Sequence, residues 1–279
     1  MNRQTKASFK RECFAYIRTN ICLTIALVII GMAIFSPIMI AGMGALMTAM
    51  SDIYEELGTD ISGMTDALGE STSIGLQSAL ESITGVSLIV MILLLNKAAG
   101  GEQKKRATMI PRSVGLQNFS YLLPKFIIYP LSGFVFSIIA SLAAWAVSIP
   151  LFEVNDVTFG SALLGGVLAG VCVMLYISFH LSLGTATGRA GMSAAVCITV
   201  SVLLPAILVQ ISNDYIYNPF TIQYLISPVL HSGGITQSQA IDIVVTICFA
   251  LAIIGVVFFI ALFAQNAKRV DNSGSELEL

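Results

Sequence analysis

Apolar residues run along this chain in long unbroken stretches, and polar residues collect between them. Crossing about 30 Å of hydrocarbon takes roughly 20 apolar residues in a helix. Six stretches reach that length: Ile21–Met43, Leu76–Leu95, Phe126–Ile149, Gly160–Leu181, Gly191–Ser212 and Ala240–Phe263. The pattern predicts an all-α integral membrane protein with six transmembrane helices in one domain spanning residues 1–279. The second stretch is the weakest, because Ser78, Glu81, Ser82 and Thr84 occupy its first turns. Pro37, Pro130 and Pro205 fall inside stretches, where a transmembrane helix kinks without ending.

The segments between the stretches have patterns of their own. Within residues 1–19, Phe9, Cys13, Tyr16 and Ile17 share one helical face, while Lys10, Arg11 and Arg18 lie toward the other. That spacing predicts an amphipathic helix lying in the membrane interface, with a plain topology-fixing basic flank as the alternative. In residues 51–75, Ile53, Leu57, Ile61, Met64 and Leu68 recur every three to four positions, which predicts a short helix standing outside the bilayer. Asp52, Glu55, Glu56 and Asp60 in the same segment could attract cations, although such runs are more often solvated faces. Residues 213–239 are too apolar for a free loop and are broken by Pro219 and Pro228. They either dip back toward the membrane as a short helical pair with tyrosines at headgroup depth, or pack on their own spans.

Composition narrows the class. Of 279 residues, 56% are hydrophobic and 11% charged, against about 45–50% and about 25% in soluble domains. A soluble enzyme and a disordered regulator are thereby disfavoured. With a net charge of -2 and no basic stripe to follow phosphates, no nucleic-acid partner is expected. The five cysteines form no metal-ligand spacing and read as small buried hydrophobes. The polar, basic start followed by a long apolar run does not fit a cleaved signal peptide.

Charge fixes the orientation. All 14 lysines and arginines fall before the first stretch, between the second and third, between the fourth and fifth, or after the sixth. The opposite segments hold only acids, among them Asp52, Glu70, Glu153, Asp156 and Asp214. The positive-inside rule then puts both termini and the basic loops in the cytoplasm of a multi-pass cell-membrane protein. Adding or removing one span would spoil the partition, so the count and the charge pattern support each other.

Candidate chemistry is sparse. His180 and His231 have no His, Cys or carboxylate three or four residues away, so no metal site is expected. Gly191-Met192-Ser193-Ala194 is the nearest approach to a serine-protease motif, at a span entrance with no evident base, and reads as helix packing. No P-loop is present, so the chain binds no ATP through one; no enzyme activity and no cofactor of its own are expected. Glu81 and Asp242 lie close to span ends, and the span centres carry no charged residue, which argues against proton coupling. Gly166 and Gly170 form a GxxxG, suited to close helix packing and weakly to a dimer interface. The loop over residues 97–125 is far longer than the connector of about four residues that two helices need. It either docks a cytoplasmic partner or binds anionic lipid headgroups.

This layout resembles the type-2 ABC exporter permease family. The resemblance rests on the basic N-terminal helix, the six spans, and the long loop reading Glu102-Gln103-Lys104-Lys105-Arg106-Ala107-Thr108, then Val114–Leu123 and Pro124-Lys125-Phe126. Tyr217-Asn218-Pro219-Phe220 followed by Tyr224 to Pro228 is a second echo. Ala107 stands where the family carries glycine, and one acidic position of the cluster is missing. The resemblance implies a half-transporter: a second permease chain, identical or a sibling, forms the pathway with it in the lipid bilayer. ABC ATPase subunits, with ATP and Mg, would dock at the cytoplasmic face. Glu102, Lys104, Lys105, Arg106 and Thr108 would then belong to a coupling helix seated on the ATPase, and spans one, two and five would line the pathway. An ion-coupled secondary carrier or channel, sensitive at Glu81, Asp242 or His180, is the alternative; a non-transport assembly factor is the third.

Overall fold

The computed structural model describes residues 3–56, 71–101, 117–211, 218–231 and 237–275. Helices dominate: α1 (Arg3–Arg18), α2 (Ile21–Glu56), α3 (Thr72–Ser82), α4 (Leu88–Leu94), α5 (Asn118–Ser148), α6 (Phe159–Thr187), α7 (Ala190–Ile211), α8 (Ile226–His231) and α9 (Gln237–Ser275). Two π-helical turns, Ile83–Ser87 and Lys97–Gly101, follow α3 and α4, and a 3₁₀ helix, Pro219–Leu225, leads into α8. The only β pairing among the described residues is an isolated bridge, Ser71 with Val154.

Six of these helical stretches are long and apolar enough to cross a membrane. Their outward faces carry large apolar side chains, such as Leu27 and Phe35 on α2 and Phe259 and Phe263 on α9. So much exposed hydrocarbon would aggregate in water, and in a bilayer it faces its own solvent. The architecture is that of a multi-pass helical membrane protein.

The helices outrun the apolar stretches. At about 1.5 Å per residue, the 36 residues of α2 form a rod far longer than the hydrocarbon is thick. Hydropathy marks where lipid ends, whereas the helix ends only where its backbone bonds do. Pro37, Pro130 and Pro205 each sit inside a continuous helix, as does Pro124.

α6 is the hub. Of its most apolar stretch 72% is buried inside the bundle, against 22% for α9. Glycines let α5 approach: a Cβ on Gly166 would stand 2.8 Å from Ser141 Cβ and 3.1 Å from Ile138 Cα. On Gly170 it would meet the Phe134 carbonyl oxygen at 3.0 Å. Both glycines of the GxxxG therefore serve packing within the chain. Ser141 Oγ donates to the Ala162 carbonyl at 2.7 Å across the same seam. On another side of α6, Ser182 Oγ donates to Val257 O and Gln265 Nε2 to Thr185 O, tying α9 to the hub. Interhelical hydrogen bonds of this kind replace water as partners for polar groups in lipid.

Tight turns join neighbours. α6 begins at Thr158, whose Oγ1 accepts from Ser161 N, and ends at Gly188. Gly188 has φ 70°, a left-handed conformation that glycine adopts without a Cβ clash. Its N–H donates to Gly184 O at 2.8 Å, and α7 starts two residues later. Asn20, φ 57°, turns the chain from α1 into α2 in the same way; asparagine tolerates that region.

The α5–α6 connection caps α3. Asp156 accepts hydrogen bonds from Ser71 Oγ, Thr72 Oγ1 and Ser73 N, while Thr72 N donates to Val154 O. A helix N-terminus offers free N–H groups and a positive dipole end, which a carboxylate satisfies. Burial pushes the Asp156 carboxyl up, and the hydrogen bonds from Ser71, Thr72 and Ser73 outweigh it, so the group lies below its ordinary value of 3.8. A depressed carboxyl stabilises the fold above its unfolded pKa and loses that contribution as the pH falls through the folded one. Asp156→Asn is expected to cost about 1 kcal/mol at neutral pH. Melting of the wild type should fall below about pH 4, and the variant should lose part of that slope.

Candidate functional site

Two places gather polar side chains within the bundle. One lies where α1, the second π-turn and the start of α5 meet. The other is a groove between α3, the first π-turn, α7 and the 3₁₀ helix.

The first surrounds the roots of the long loop. Glu102, Lys104, Lys105, Arg106 and Thr108 lie outside the described residues, but both flanks of the loop are described. On the incoming flank, Gly100 and Gly184 pack backbone to backbone: a Cβ on Gly184 would stand 2.9 Å from Ala99 O, and one on Gly100 would stand 2.8 Å from Gly184 O. On the outgoing flank, Lys125 is 1% exposed. Its ammonium donates to Ala98 O at 3.2 Å and to Tyr121 Oη at 3.0 Å, and lies 4.0 Å from Glu12 Oε1. Lys125 thus joins the two roots of the loop directly.

α1 is drawn into the same cluster. Tyr129 Oη donates to Glu12 Oε1 at 2.8 Å, a charge-assisted bond. The Thr5 and Ser120 hydroxyls pair at 3.0 Å, and Tyr16 meets Tyr129 edge to face at 5.3 Å. The protein-facing side of α1 is therefore Thr5, Glu12 and Tyr16, with Phe9 and Cys13 half-buried. Ile17 is 66% exposed, while the Glu12 carboxylate of the same helix reaches Tyr129 and the Lys125 ammonium. Sequence reasoning passed over Glu12. The available signal was a lone acid on a basic helix, matched by a lone lysine at the head of an apolar stretch.

The groove encloses about 330 Å³ and is lined by Glu81, Thr84, Gly85, Ser201, Val202, Gln223 and Tyr224. Glu81 Oε1 accepts from Gln77 Nε2 at 2.9 Å. Thr84 Oγ1 donates to Leu80 O at 3.1 Å, and Ser201 Oγ donates to Ile198 O at 2.9 Å. The 3₁₀ helix that closes one side starts at Asn218, whose Oδ1 accepts from Phe220 N. Ile222, Ile226, Val229 and Leu230 bury it against the bundle. The segment after α7 thus contains a short helical pair packed on its own spans; Tyr215 and Tyr217 lie outside the described residues.

His180 and Ser193, on either side of the turn between α6 and α7, are partners. Ser193 Oγ donates its single proton to His180 O at 2.7 Å. Its 2.9 Å contact with His180 Nδ1 must then run from an Nδ1–H to the serine oxygen. This leaves Nε2 as the acceptor, buried and unpartnered among the described residues. A base does stand beside the serine that had none evident in sequence, but it holds the serine as an acceptor and does not draw off its proton. The pair fastens α7 to α6. His231 ends α8, its Nδ1 2.9 Å from Ser227 O. Of Glu81, Asp242 and His180, the groove takes in only Glu81. Among the described residues no three His, Cys, Asp or Glu side chains converge on a metal position.

These features define a helical membrane protein with a polar groove at one end and a locked loop root at the other. Comparison with protein-family models finds no match, and no curated protein matches the chain.

Proposed function

We propose that this chain is the membrane-spanning permease subunit of an ATP-binding-cassette exporter, driven by separate ATPase subunits. The observation that carries the reading is the bracing of the loop over residues 102–116 at both roots. Lys125 bonds the Ala98 carbonyl at one root to the head of α5 at the other, and Gly100 sits against Gly184. A force applied to such a loop passes into three helices at once, whereas a slack lipid-binding loop would need no bracing.

In this account both termini and the loop face the cytoplasm, following the lysine and arginine partition. α1 lies along that interface, held by Glu12. Glu102, Lys104, Lys105, Arg106 and Thr108 form the coupling segment that seats on the ATPase. ATP and Mg bind on the partner, and this chain contributes no catalytic group. A second permease chain faces the side where α3 and α7 form the groove, and the pathway runs between the two copies. The groove supports this placement because its walls come from the second and fifth spans.

The test is gentle purification of the tagged chain from its native membrane, with identification of co-purifying chains and an ATPase assay. A P-loop ATPase is expected with the wild type, and Glu102→Ala and Arg106→Glu should reduce its recovery about tenfold, the factor for roughly 1.4 kcal/mol of lost binding. A lone chain at wild-type abundance would move the assignment to an ion-coupled carrier or an assembly factor.

A further inference from the structure

We infer that the groove at Glu81 binds a primary ammonium group carried on an apolar body, so that the ligand is a lipophilic amine. This rests on the exporter reading for its place in a transport pathway, and on the groove itself for its chemistry.

The charge argument comes first. Glu81 is the one ionisable carboxylate in the groove lining. No lysine or arginine is among the lining residues, and Glu81 takes part in no ion pair among the described residues. The sequence of residues 57–70, 212–217 and 232–236 contains no lysine or arginine either. Glu81 is exposed at the groove, and a carboxylate there without an internal cation attracts one from outside.

The hydrogen-bond argument narrows the cation. The Thr84 and Ser201 hydroxyl protons are already given to Leu80 O and Ile198 O of their own helices. What these hydroxyls retain is acceptor capacity. Gln77 occupies Glu81 Oε1, and Oε2 remains to accept. The lining holds acceptors on Glu81, Thr84 and Ser201 beside the Gln223 amide and the Tyr224 phenol, and an ammonium brings three donors and no acceptor. A quaternary or phosphonium cation would satisfy the charge and leave the acceptors unmet. At about 330 Å³ the groove has the size of small-molecule sites and room for an organic body. Val202 and Gly85 give the organic body an apolar wall.

The experiment uses the full complex extracted in polymer nanodiscs, without nucleotide, and titrates dansylcadaverine by fluorescence. Its N-acetylated derivative removes the charge, and its trimethylammonium derivative keeps the charge without N–H donors. The wild type should bind the amine at least tenfold more tightly than the acetylated form, with the trimethylammonium form between them. Glu81→Gln should abolish the difference between amine and amide, and Glu81→Asp should keep part of it. Equal binding of amine and amide by the wild type overturns the inference, whether or not Glu81→Gln folds. An undiminished preference in folded Glu81→Gln also overturns it. Amine binding does not depend on the ATPase: loss of the preference with an ATPase present defeats only this inference. A Glu81-dependent preference with no ATPase partner defeats the exporter reading.

Discussion

Lys125→Met is expected to destabilise the protein by about 3 kcal/mol or more, the usual cost of removing one partner of a buried ion pair. Lys125 is 1% exposed, and its ammonium is the cation beside Glu12. Deleting it leaves the buried Glu12 carboxylate of α1 with the hydrogen bond from the Tyr129 hydroxyl and no cation. It also frees the Ala98 carbonyl at the loop root. The 4.0 Å separation makes the pair a neighbouring charge more than a tight contact, so most of the loss is the unpaired charge. Glu12→Gln combined with Lys125→Met should therefore be milder than Lys125→Met alone. Unfolding midpoints in mixed micelles for the two single variants and the double variant would measure the coupling. Additive losses would show that Glu12 and Lys125 do not sense each other.

Gly170→Leu should cost about 3 kcal/mol, the upper part of the range for overpacking a tight interior. The nearest obstacles to a Cβ there include the Phe134 carbonyl oxygen at 3.0 Å and Cα at 3.2 Å. Backbone atoms cannot rotate aside as a side-chain tip can, so α5 and α6 must separate and their shared hydroxyl bond, Ser141 to Ala162, stretches with them. Gly255→Ala is the control: no atom lies within 4 Å of that Cβ. It should leave the midpoint unchanged or raise it slightly through helix propensity. Similar losses for Gly170→Leu and Gly255→Ala would refute the seam.

The number of membrane-long helices was legible because bilayer thickness imposes a length that apolar runs must meet. Their ends were not legible in the same way. α2 continues to Glu56 and α9 begins at Gln237, since backbone hydrogen bonds persist after hydropathy has fallen. The GxxxG announced close packing, but its partner, the Phe134–Ser141 side of α5, depended on tertiary placement. The same limit hid the two polar clusters. Glu12 meets Tyr129 across 117 positions, and the groove draws on residues from Glu81 to Tyr224. No local spacing encodes such meetings. The loop residues Glu102 to Thr108 were readable as a basic-acidic cluster, and the structure contributes the bracing of their roots.

The most direct test of the permease account is photo-crosslinking in the native membrane, with a photoreactive amino acid replacing Lys104 in one protein and Asp60 in another. The account predicts an adduct between position 104 and a P-loop ATPase, weakened when ATP turnover is arrested in a different state, and no such adduct from position 60. Absence of an ATPase adduct at 104 despite full expression, or an equal adduct from both positions, would contradict it.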